Sequence, residues 1–167
     1  MADAKSLLVV IGTRPELIKL APIVSAAAKH LPRFDCRVCL TGQHRDLIDP
    51  LIDFFGVPVG RDLDIMVENQ NLTYITKAVL DGVGDEIDSY QPDAVVVQGD
   101  TTSAFAGALA AFYRQVPVAH VEAGLRTDQK YSPFPEEMNR CLIDQMATFK
   151  FAPTKLTFDR LVSEGLQ

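Results

Sequence analysis

Short apolar runs alternate with longer stretches of helical spacing along the whole chain. Leu7-Leu8-Val9-Val10-Ile11 is continuous and rich in β-branched residues, which predicts a buried strand. Gly12-Thr13-Arg14-Pro15 then leads into a helical stretch over about 16–30. Pro15 suits a first helical position, because its missing N–H would be unpaired there anyway. Residues 37–40 predict a second strand that ends at Thr41-Gly42, followed by a helix over about 45–55 that closes near Gly56 despite Pro50. A weak third strand is predicted near 63–66. Residues 70–90 have helical spacing at Leu72, Ile75, Val79 and Ile87. Gly82 and Gly84 each cost about 1 kcal/mol inside a helix and predict a break there. Ala94-Val95-Val96-Val97 is the clearest buried strand. After it come a small-residue helix over 101–113, a strand over 117–121, a helix over 136–148, a short strand over 149–152 and a last helix over 155–164.

Alternating elements with near-continuous apolar strands predict an α/β fold: a doubly wound, Rossmann-like parallel sheet covered on both faces. Crossovers should be right-handed, and the default strand order is 3-2-1-4-5-6. The 167 residues read as a single lobe, 1–167. They close on Glu164-Gly165-Leu166-Gln167, where a linker to a second lobe would begin.

Composition narrows the function classes. Apolar residues are 47% and charged residues 23%, the balance of a globular chain, not a disordered one. The formal net charge of −6, with no run of Lys or Arg, argues against a nucleic-acid binder. No apolar stretch is long enough to span a membrane, and the five apolar residues after Ser6 are too few for a signal-peptide core. Three cysteines are an odd number and too few for a disulfide scaffold, which predicts a reduced, cytoplasmic setting. Cys36-x-x-Cys39 lies on a strand, where positions i and i+3 face opposite sides, so neither metal nor redox chemistry is expected of it. No cofactor is implied.

In an open parallel sheet, ligands sit beyond the carboxyl ends of the strands near the switch in strand order. The residues placed there are Gly12-Thr13-Arg14 after the first strand, Gln98-Gly99-Asp100-Thr101-Thr102 after the fourth and Glu122-Ala123-Gly124-Leu125-Arg126 after the fifth. Arg14 takes the place of the second glycine of a dinucleotide fingerprint, which excludes the usual pyrophosphate approach. An anion held by Arg14 and the helix start is the better expectation, with Lys19 one turn on. Asp100 is either a site carboxylate or the cap of the next helix. Glu122 ends a strand with no helix to cap. Glu136 and Glu137 open a helix, and Glu136 with Arg140 has the i, i+4 spacing of an ion pair. Several carboxylates with arginines in one crevice form an acid–base arrangement, in which burial and like charge raise some pKa values. Thr41-Gly42-Gln43-His44-Arg45 offers further polar groups at the same edge.

These loops resemble those of the bacterial UDP-N-acetylglucosamine 2-epimerases of the non-hydrolysing type. The resemblance rests on Gly12-Thr13-Arg14-Pro15-Glu16-Leu17-Ile18-Lys19, Thr41-Gly42-Gln43-His44, Gln98-Gly99-Asp100-Thr101-Thr102, Val121-Glu122-Ala123-Gly124-Leu125-Arg126-Thr127 and the run from Tyr131 to Arg140. It implies the amino-terminal lobe of a two-lobed fold of the GT-B type, with the carboxy-terminal UDP-binding lobe absent. It implies interconversion of UDP-N-acetylglucosamine and UDP-N-acetylmannosamine by elimination of UDP to 2-acetamidoglucal and re-addition on the other face. Asp100, Glu122 and Glu136 would be the catalytic acids, and Arg14, Lys19 and Arg140 their polar support. Gln43 and His44 match a region where many members bind a second substrate molecule. The expected partners are UDP-N-acetylglucosamine, UDP and a second copy of the chain.

Without the second lobe, the chain is expected to be inactive alone, because closure of two lobes is what excludes water. The alternatives are an epimerase of a related UDP-diacetamido sugar, a glycosyltransferase lobe, and a non-catalytic nucleotide-sugar-binding or dimerisation module. The last two have no reason to keep Asp100, Glu122 and Glu136 together.

Overall fold

A computed structural model describes residues 4–30, 32–43 and 47–166. Six strands, β1 (Lys5–Ile11), β2 (Phe34–Leu40), β3 (Val59–Asp62), β4 (Ala94–Gln98), β5 (Val118–Val121) and β6 (Phe149–Phe151), form one sheet. Their order is β3-β2-β1-β4-β5-β6, and each neighbouring pair runs parallel. The helices are α1 (Arg14–Lys29), α2 (Asp49–Phe55), α3 (Leu72–Tyr90), α4 (Thr102–Tyr113), α5 (Glu136–Met146) and α6 (Lys155–Ser163). The doubly wound expectation therefore holds, strand order included.

Successive strand residues feed two cores, as the two-residue period of a strand requires. Leu8, Val10, Val95 and Val97 pack against α3 and α4, whose facing residues include Val79, Val83 and Ala108. Val9, Ile11, Val38 and Val96 pack on the opposite face against Leu17, Leu20 and Val24 of α1. Cys39 joins the first core and Cys36 lies against the second, the opposite-face placement expected of the pair.

Three expectations need correction. The third strand is Val59–Asp62, not 63–66: it is an exposed edge strand with no apolar run to reveal it, and Leu63 follows it as a packing residue. Helix α3 runs unbroken through Gly82 and Gly84. A Cβ at Gly82 would stand 2.7 Å from Leu63 Cδ1, and one at Gly84 would stand 2.6 Å from Arg114 Nη2, so both glycines serve close approach. Helix α2 begins at Asp49, which puts Pro50 in the first turn where it costs no hydrogen bond. The predicted start of that helix at Arg45 lies outside the described residues.

Candidate active site

The cleft opens where β1, β4 and β5 end and their following turns meet. It is lined by Thr13, Glu16, Lys19, Gln98, Asp100 and Glu122, among others, and encloses about 150 Å³. The register explains the meeting: Val9 pairs with Val96, and Gln98 with Val121, so the three strands finish side by side.

Glu122 is the first residue beyond β5 and has a φ of 73°, in the left-handed region that disfavours a side chain. Lys19 on α1 approaches both of its carboxylate oxygens, at 2.6 and 2.5 Å, and the Gln98 side-chain amide donates to Oε2. Gln98 is the last residue of β4, so the carboxylate is clamped from a helix and from the neighbouring strand.

Asp100 does not cap α4. Thr101 does, accepting from Ala104 N at 3.0 Å, which leaves the Asp100 carboxylate for the cleft. Arg140 Nη2 donates to Asp100 Oδ2 at 2.7 Å, and the Asn139 side chain donates to the Asp100 carbonyl at 2.8 Å. Burial pushes the pKa of Asp100 up. Arg140 opposes that, while Glu136 and Glu122 add to it. Both of the other predicted acids thus act on Asp100.

Glu136 opens α5 and is half-buried. The expected Glu136–Arg140 side-chain pair is absent: Arg140 is drawn instead to Asp100, with Glu137 Oε2 3.7 Å from Nη1, and meets Glu136 only at its carbonyl oxygen. Glu137 is buried and accepts from the backbone N–H groups of Thr127 and Asp128 at 3.0–3.1 Å. It is a strut of the loop before α5.

Sequence reasoning passed over Glu16. Its Oε2 accepts from Gly12 N and Thr13 N at 2.6 Å each, and its Oε1 accepts from the Thr101 hydroxyl at 2.5 Å. Burial raises its pKa against these bonds. The signal was present as Thr13-x-x-Glu16, the spacing of a capping box. The amides of Gly12 and Thr13, just ahead of α1, are therefore taken by the helix's own glutamate. Arg14 is exposed beside it and makes no side-chain bond among the described residues.

Gln43 stands on the far side of Gly12. Ser103 Oγ donates to Gln43 Oε1 at 2.7 Å, so the Thr41 hydroxyl, 3.0 Å from Ser103, donates in turn. His44 lies outside the described residues. Among the described residues, no group of three or more His, Cys, Asp or Glu could hold a metal ion, and no helix is long and apolar enough to cross a membrane.

Known proteins resemble the chain over most of its length. Residues 26–167 match the model of the UDP-N-acetylglucosamine 2-epimerase family. The UDP-N-acetylglucosamine 2-epimerase of Escherichia coli K12 is 47% identical over 159 residues, covering 95% of this chain and 42% of that protein. The crystal structure of the Neisseria meningitidis enzyme bound to UDP-GlcNAc superposes with a TM-score of 0.93 at 44% identity, covering 97% of this chain and 43% of that one. The Methanocaldococcus jannaschii enzyme in complex with UDP-GlcNAc and UDP gives 0.90 at 36% identity, covering 97% and 44%. The chain spans less than half the length of each of these relatives.

Proposed function

The chain belongs to the UDP-N-acetylglucosamine 2-epimerase family, and from that premise we propose that it is the amino-terminal lobe, residues 1–167, holding the acid–base groups of an enzyme that inverts C2 of UDP-N-acetylglucosamine. Asp100, Glu122 and Glu136 act as the catalytic acids. Lys19, Arg140 and Arg14 support the negative charge that develops on the departing UDP and on the acids, and Gln43 and His44 bind substrate.

The chemistry requires such a set. A C2 proton beside an acetamido group is not acidic, so the C1–O bond to UDP breaks first and leaves an oxocarbenium-like centre. A carboxylate then takes the C2 proton, giving 2-acetamidoglucal and UDP. Re-addition with protonation from the opposite face inverts C2. Two carboxylates on two faces are needed, one accepting and one donating, so an acid that retains a proton more readily than usual is useful. Asp100, raised by burial and by two neighbouring acids, is suited to donate.

The observation that carries this reading is that Asp100, Glu122 and Glu136 come from three separate elements, with Arg140 on Asp100, Lys19 on Glu122, and both glutamates acting on the Asp100 carboxyl. The cleft of about 150 Å³ is smaller than the ~300–1,000 Å³ typical of a small-molecule site. That supports a second lobe completing the UDP site and little or no turnover by this lobe alone. The reading includes a cytoplasmic homodimer, which sedimentation velocity would detect.

The test joins this chain to the remaining length of the Escherichia coli enzyme and follows deuterium uptake at C2 of UDP-N-acetylglucosamine in D2O by proton NMR. Replacing each acid by its amide should slow uptake by about 10²–10⁴-fold, the usual worth of a positioned acid or base. A folded, epimerising chimera indifferent to all three replacements would overturn the assignment.

A further inference from the structure

His120 lies on β5, fully buried, two residues before Glu122. Its Nε2 is 2.7 Å from the carbonyl oxygen of Gly99, and its Nδ1 is 2.6 Å from Asp144 Oδ1. A carbonyl oxygen only accepts. The Asp144 carboxylate is also receiving: Gly124 N donates to Oδ2 at 3.1 Å and Arg126 Nη1 at 2.7 Å. A neutral imidazole presents one N–H and one bare nitrogen. Here both nitrogens face acceptors, so the ring carries two N–H groups and Asp144 carries the countercharge. Burial works against the Asp144 anion, but the bonds from His120 and Arg126 outweigh it and hold the carboxyl below its ordinary pKa.

Three elements meet on this ring. Gly99 precedes Asp100, so holding the Gly99 carbonyl fixes the peptide plane from which Asp100 departs. Glu122 follows on the same strand. Gly99 and Glu122 have φ values of 70° and 73°, a conformation that the surroundings must enforce for a glutamate. Asp144 follows Arg140 by four residues and Glu136 by eight, which places all three on one side of α5. The turn with Asp100, the strand end with Glu122 and the helix with Glu136 are therefore tied to a single ring.

We propose that His120 is a positioning residue: a buried imidazolium, clamped by Asp144, that holds these three segments together and so sets the directions of the three acids. Its consequence for catalysis rests on the reading of those acids given above, whereas its charge state does not. The charged groups around it are Asp144 and Arg126, which face the ring or its partner, and Asp100, whose pKa the ring's positive charge lowers. Lys150 is in register on β6 but gives its ammonium to the Ala147 carbonyl.

The test is nitrogen-15 NMR of the histidine-labelled chain. His120 should show a proton on each ring nitrogen at neutral pH, as its two acceptors require. A ring with one protonated nitrogen there overturns the proposal, and this measurement needs no variant. His120→Gln keeps a donor toward the Gly99 carbonyl but removes the charge. In it the carbon-13 titration of the Asp100 carboxyl should move to higher pH, because the ring's positive charge lowers it. An unchanged Asp100 titration therefore overturns the proposal. If His120→Gln does not fold, Asp144→Asn serves, and its ring should hold one proton instead of two. Two ring protons in a chain whose acids can be removed without loss of epimerisation would support the clamp and overturn the reading of the acids.

Discussion

Asp144 shows most directly what single side chains contribute. Its carboxylate receives His120, Arg126 and the Gly124 amide with no exposure to solvent. Removing one partner of a buried pair strands the other, so Asp144→Ala should cost about 3–5 kcal/mol in chemical denaturation. Glu16 has the opposite sign of pH linkage. Its folded pKa is raised by burial, so the stability it contributes is greatest below the unfolded value of 4.5 and declines as pH rises through the folded one. Glu16→Gln should therefore gain stability relative to the parent as pH goes from 4 to 8, read from melting temperatures measured side by side. Asp93 runs the usual way. Lys5 and Ser6 hold it down to about 2, so its contribution is present above 3.8 and fades between there and about 2. Asp93→Asn should flatten the acid limb of the stability profile in that window. Asp100 and Glu122 were legible in the sequence, because a residue just past a parallel strand has a known address. His120 with Asp144, and Gln98 with Glu122, were not: each pair is 24 residues apart and forms only once neighbouring strands are aligned.

Among elements, legibility followed burial. The strands β1 and β4 are apolar runs packed on both faces, so the pattern names them, whereas β3 is Val-Gly-Arg-Asp, exposed throughout, and leaves no such trace. Helix α3 misled for the reverse reason. A glycine reads as a breaker, but Gly82 and Gly84 make room for the Leu63 and Arg114 side chains from elsewhere in the fold. The turn after β5 gives a sharper test. Gly124 has a φ of 87°, and a Cβ there would stand 2.4 Å from the Thr157 carbonyl oxygen on α6. Gly124→Ala should cost about 1–2 kcal/mol for the left-handed backbone and a further 1–3 kcal/mol for the crowding. Loss of the α6 packing would appear as faster amide exchange around Leu161.

At the scale of the molecule, two cores share one sheet, so neither can melt while the other stands. Far-ultraviolet circular dichroism and the absorbance of the four tyrosines should therefore report coincident unfolding, and separated midpoints would count against a single cooperative unit. The strand order has a consequence for synthesis as well. β1 sits between β2 and β4, but β4 begins almost ninety residues after β1 begins, and the Lys19–Glu122 contact closes over 103 residues. A ribosome adding about 5–20 residues per second needs on the order of ten seconds to supply that second neighbour. Throughout that interval one flank of β1 is an open template for any other extended chain. The carboxylate cleft, which joins Lys19 near the start of the chain to Asp100 and Glu122, cannot exist before that interval ends.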